Sequence, residues 1–154
     1  MIFRNIESFF FFHLTYFFFF FFFFFQGPDD IFVVFGVNHQ TTGKSTYASI
    51  TAYQYSTLSG LVSVSSENGY QNSADKYLPG GKKHRSSSYL FAHSFARECH
   101  GGDEGGCYEV PFEGVGSVPL NEFIFWIERA YVNPVTLTGP AANETIMARA
   151  LHFW

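Results

Sequence analysis

The sequence predicts one mostly β domain, a single antiparallel sandwich or barrel-like fold with short helical turns, preceded by a non-globular Phe-rich leader. Three observations predict it. Apolar and polar residues alternate with period two over several strand-length stretches, which puts alternate side chains on opposite faces of a sheet. Gly, Pro, Asn and Asp punctuate the intervals, as chain reversal requires. No apolar pattern of helical period runs long enough to cover a parallel sheet, which argues against an α/β fold.

The leader comes first. Of the 22 Phe residues, 14 precede Gly27, and Phe17 to Phe25 is an unbroken run of nine. Residues 1–26 are therefore read as leader and 27–154 as the domain. As a membrane anchor, Phe9 to Phe25 is at the lower edge of the roughly 20 apolar residues a helix needs to span. It also lacks the small and varied side chains through which such helices pack, and aromatic residues lose rotamer freedom in a helix. A signal peptide wants a positive start and small residues before the cut. Here Arg4 is offset by Glu7, and the exit reads Phe24-Phe25-Gln26-Gly27. Coding chemistry offers a third reading. Phe is encoded by TTT or TTC and Gln by CAG, and a pyrimidine tract ending in CAG is the 3′ end of a spliceosomal intron. The expectation is that residues 1–26 translate unspliced sequence, so that 27–154 is a C-terminal fragment of a longer protein. A membrane is an expected partner only if residues 9–25 are truly translated.

The domain opens on a Gly27-Pro28-Asp29-Asp30 turn. Ile31 to Phe35 is a continuous apolar run ending at Gly36, the pattern of a strand covered on both faces. Ser45 to Tyr55 alternates. Thr46, Ala48, Ile50 and Ala52 share one face, and Tyr47, Ser49, Thr51, Tyr53 and Tyr55 share the other. A shorter strand is predicted from Leu61 to Ser65. The polar stretch from Glu67 to Ser88 contains one helical turn, Ser73 to Leu78, stopped before Pro79. Tyr89 to Arg97 alternates again, with Tyr89, Phe91, His93, Phe95 and Arg97 on one face. Glu122 to Val132 is the next strand. Glu128 and Arg129 near its middle predict an edge strand whose charges reach solvent or pair with neighbours. A helical turn at Asn143 to Met147 and a closing strand from Ala148 to Phe153 complete the chain.

Charge excludes one class of function. The formal net charge is −4, with no basic footprint to displace counterions from phosphates, so no nucleic acid is expected. The one basic cluster, Lys82, Lys83 and Arg85, sits among Gly and Ser as a solvated loop does.

The motifs are weak. Gly43-Lys44-Ser45-Thr46 invites a phosphate-loop reading, but the first Gly of that loop belongs at position 38, which is Asn38. A hairpin loop from Gly36 to Gly43 explains the same residues. Cys99, His100 and Cys107, with His93, are weak candidates for metal ligands. Their Cys-x7-Cys spacing lacks the close Cys pairs of structural zinc sites. A disulfide between Cys99 and Cys107 is the favoured reading, closing a Gly-rich loop and contributing roughly 2–3 kcal/mol. Asn143-Glu144-Thr145 is a glycosylation sequon on Asn143. With the disulfide it tilts the expected localisation towards membrane-anchored or extracellular. No Gly-x-Ser-x-Gly and no interpretable carboxylate pair is present.

The expected function is a non-enzymatic β binding or structural module with no cofactor, its Tyr47–Tyr55 face available to stack on sugars or a partner. The alternative is part of an enzyme domain using His39, His93 and the Cys99–Cys107 segment, which requires those groups to converge.

Overall fold

A computed structural model of the chain describes residues 9–13, 16–24, 27–80, 84–99, 106–112, 117–120, 122–133, 135–136, 139–140 and 145–153. The expected Lys82–Lys83 loop, His100 and the sequon at Asn143 lie outside the described residues. The β-branched and aromatic runs all form strands, as their fit to a pleated surface dictates. In chain order these are β1 (Phe9–His13), β2 (Tyr16–Phe24), β3 (Ile31–Val37), β4 (Tyr47–Gln54), β5 (Gly60–Ser65), β6 (Leu90–Ala96), β7 (Cys107–Glu109), β8 (Phe123–Tyr131) and β9 (Arg149–Phe153). Two single 3₁₀ turns, Asp75–Tyr77 and Ser87–Tyr89, are the only helical pieces among the described residues.

The strands form two sheets, ordered β1-β2-β8-β4-β5 and β7-β6-β3-β9. Their inner faces meet in one core. Phe32 and Val34 of β3 and Phe91 and Phe95 of β6 pack against Ile50 of β4 and Ile124 and Trp126 of β8. The Trp126 ring lies 5.3 Å from both Phe32 and Phe95, within the range of favourable aromatic pairing. Arg97, just past β6, is buried and donates to the carbonyls of Val110, Pro111 and Pro119 at 3.1–3.3 Å, pinning the segment after β7.

The leader backbone is extended. β1 and β2 pair antiparallel, and β2 pairs antiparallel with β8, Phe19 opposite Glu128. No helix among the described residues is long and apolar enough to cross a membrane.

Four expectations need correction. The segment after β3 is not a hairpin, because β3 and β4 belong to different sheets. Residues 38–46 carry the chain across the sandwich instead. Asn38 Oδ1 accepts from the Gln40 and Thr41 amides, and His39 O accepts from Lys44 and Ser45. A strand follows, so no helix N-terminus is available for the phosphate-loop reading. Second, the arrangement is not wholly antiparallel, since β7 runs parallel to β6. Third, β8 is not an edge strand. It lies between β2 and β4, and Glu128 points into the core at 2 % exposure. Arg129 faces the other way and donates to Tyr53 Oη at 2.7 Å. Fourth, the expected helical turn at Asn143 to Met147 is irregular over 145–147, its first two residues lying outside the described ones.

Candidate functional site

β6 places Phe91, His93 and Phe95 on the inner face, because period-two alternation gives them one side of the sheet. His93 thus occupies a core position, with 1 % of its surface exposed. It stands over the end of the core where the chain after β5 turns back. There Ser65 O accepts from the amides of Gly69 and Tyr70, and Asn68 Oδ1 accepts from Ser65 N at 2.7 Å. Ser73 Oγ donates to Tyr70 O at 2.8 Å and accepts from Ala92 N at 3.2 Å, which ties this turn to β6. Asn72 adopts φ +64°, a left-handed conformation that Asn tolerates better than most residues. The turn continues into Asp75–Tyr77, anchored by Tyr77 Oη to Ser94 Oγ at 2.9 Å and by the Ser87 hydroxyl on Asp75 Oδ1.

The opposite wall is made by β7. Cys99 and Cys107 form the expected disulfide, with Cα atoms 5.9 Å apart, and Ser94 N donates to Gly106 O at 2.6 Å. Gly106 has φ +113°, which disfavours any side chain. A Cβ at that position would sit 3.5 Å from Lys76 Nζ and 3.6 Å from His93 Nδ1. The ammonium and the imidazole therefore flank one small space above the glycine. Tyr108 presents its ring edge-on to His93, with centroids 5.4 Å apart.

Between these walls lies a cavity of about 510 Å³. Most of its lining residues are of polar type, although apolar atoms contribute the larger share of the surface. Asn68, Gln71 and Asn72 bring amides, Ser73 and Tyr108 hydroxyls, and Asp75 and Lys76 one charge of each sign. Neither ring nitrogen of His93 has a hydrogen-bond partner. Burial, reinforced by the Lys76 charge, lowers its pKa to about 4, so the ring is neutral at ordinary pH, with one nitrogen a donor and the other an acceptor. A buried polar group left unpaired costs about 1–3 kcal/mol, and one that faces a cavity can recover its bonds from whatever fills the space.

His39 is not part of this site. Its Nε2 meets Ile146 O at 3.0 Å. His93 pairs with Val34 within β3, whereas His39 lies in the turn beyond the end of that strand at Val37. The alternative that joins both histidines in one pocket lacks that convergence, although His93 and the β7 end of the disulfide loop do come together. The disulfide also removes both cysteines as thiolate ligands. Among the described residues no group of three or more His, Cys, Asp or Glu could hold a metal ion. The tyrosines of β4 pack across strands rather than forming an open platform. Tyr53 stacks on Phe125 at 5.4 Å and Tyr47 meets Tyr131 at 5.2 Å. The cavity residues other than His93 went unrecognised because a cluster of amides reads in sequence as a polar loop.

A second buried titratable group lies deeper. Glu128 Oε2 accepts from Ala148 N at 2.8 Å, while Oε1 has no partner. Burial pushes its pKa up to about 7, against that one bond. Tyr70 is fully buried nearby, and burial together with the Glu128 charge holds its phenol well above the usual range.

The chain matches no family of proteins, no curated protein and no solved structure.

Proposed function

We propose that this chain is a non-enzymatic binding module whose His93 cavity takes a small, neutral, hydroxyl-rich ligand of the sugar class. The observation that carries this reading is a core-positioned imidazole with both nitrogens unpartnered, on a residue that borders a cavity lined by amide, hydroxyl and charged side chains. A ligand hydroxyl both donates and accepts, as do the hydroxyl and amide side chains around it. The charges of Asp75 and Lys76 offset one another, which favours a neutral ligand over an ion. The cavity falls within the roughly 300–1,000 Å³ of small-molecule sites.

Catalysis fits less well. A general-base histidine is normally held in one tautomer by a carboxylate or carbonyl on its second nitrogen, and His93 has neither. The test is calorimetric titration of the full chain with a panel of mono- and disaccharides, beside hydrolysis assays on chromogenic glycosides and esters. Saturable binding of at least one sugar without turnover, lost in His93→Ala, is the expected result. Turnover that disappears with His93 would overturn the non-enzymatic reading.

A further inference from the structure

The outer face of the β7-β6-β3-β9 sheet carries a second cavity, of about 470 Å³. Register determines its surface. Phe35 is paired with Ala92 on one side and Arg149 on the other, Val37 with Leu90, and Val33 with Leu151. Directly opposed residues share a face, so these side chains form one patch pointing away from the core. Such a face is ordinarily polar in a sandwich. Here it is apolar, and it is walled by Leu78 and the Tyr77 ring on one flank and by Ile146 and Met147 on the other. Tyr77 and Ile146 are 45 % and 65 % exposed, so the walls stand up from the sheet and leave a trough. From Val33 to Val37 the floor extends about 13 Å along β3, room for a medium-length hydrocarbon chain.

Arg149 is the only charged residue among the described lining. It is exposed, and no carboxylate stands with it among the described residues that line the trough. A lone guanidinium bordering an apolar trough, in a chain of net charge −4, complements one kind of molecule: an apolar chain ending in a carboxylate, which guanidinium binds in bidentate fashion.

We propose that this trough is a second ligand site, separate from the His93 cavity, that takes a single free acyl carboxylate with its tail along β3 and its head on Arg149. The acyl chain removes the half-buried side chains of Val33, Phe35 and Leu151 from water, and the head group uses the one cation.

The test uses the full chain and three probes of equal tail length, decanoate, decanol and decyltrimethylammonium, titrated by calorimetry below the micelle concentrations of the two ionic probes and the solubility limit of decanol. Decanoate is expected to saturate with one-to-one stoichiometry and to bind at least tenfold more tightly than the cationic probe. Arg149→Gln, at an exposed position, should weaken decanoate about tenfold and leave decanol unchanged. Leu151→Glu should abolish decanoate binding, which distinguishes the trough from adsorption elsewhere on the chain. Decanoate and decyltrimethylammonium binding equally, decanoate binding insensitive to both substitutions, or no saturable binding of decanoate would each overturn the proposal.

Discussion

Glu128 and His93 are both buried in strands of opposing sheets, and their surroundings make them different devices. Each sits at an inward-facing strand position, each is less than 3 % exposed, and each has a polar atom without a partner. Glu128 is sealed among Tyr70, Ile50 and Ala148 and belongs to the described lining of neither cavity. Its buried charge can be removed only by taking up a proton, so burial drives its pKa up. His93 lies against a cavity lined mostly by residues of polar type, with its ring nitrogens covered. Under the proposed function its missing bonds are supplied by a ligand once the covering side chains give way, and burial drives its pKa down. An unsatisfied buried group is therefore a statement about pH when it is sealed and about a ligand when it faces space.

Four substitutions sharpen or break this contrast. The largest effect is expected where neither proton nor ligand is involved. Trp126→Ala removes the ring that joins the two sheets and should lower unfolding free energy by about 3–5 kcal/mol at every pH, read by urea denaturation.

Glu128→Gln comes next. A carboxyl whose folded pKa is raised contributes stability that is complete below its unfolded value of 4.5 and is lost as pH rises through about 7. At 1.36 kcal/mol per pH unit that loss is about 3 kcal/mol. The difference in stability between Glu128→Gln and the parent chain should therefore move by about 3 kcal/mol in favour of the variant between pH 4 and pH 8. A constant difference would mean that Glu128 is not sealed. The histidines run the other way. A depressed pKa gives stability that is present above 6.5 and lost as pH falls, and for His93 the fall continues to about 4. His39 and His152, also lowered by burial, add in the same direction.

Reduction of the Cys99–Cys107 disulfide, or Cys107→Ser, should lower stability by roughly 2–3 kcal/mol and release β7 from β6. Because β7 forms one wall of the cavity, ligand binding should fall with it, whereas the alkaline loss of stability due to Glu128 should persist. The smallest effect on stability belongs to Gly106→Ala. It strains a φ of +113° for about 1 kcal/mol or more. It also puts a methyl between Lys76 and His93, and sugar binding should weaken about tenfold.

Much of the sandwich was legible in the sequence. The alternation of residues 89–97 located β6 and assigned Phe91, His93 and Phe95 to one face, and the core confirms that assignment. Pro79 marked the end of the single helical turn, and the glycines around Cys99 and Cys107 allowed the disulfide to close. Other features depend on contacts far apart in the chain. Whether Gly36 to Gly43 reverses within one sheet or crosses to the other depends on what Asn38 and His39 bond, and both loops share the same residue types. Glu128 read as an edge charge because burial of a lone carboxylate is unfavourable, and only its raised pKa and the Ala148 amide make that position tenable. The cavity arises where the turn at 68–73, β6 and the disulfide-held β7 meet, three segments that no local pattern connects.

The most direct test of the account is calorimetric titration of the full chain and of His93→Phe with the best-binding sugar from the panel, at pH 7. The Phe ring fills the core position without offering a donor or an acceptor. Saturable one-to-one binding to the parent chain is expected, with binding at least tenfold weaker to a variant that remains folded. Equal binding to both chains, or no binding of any sugar to the parent, would contradict it.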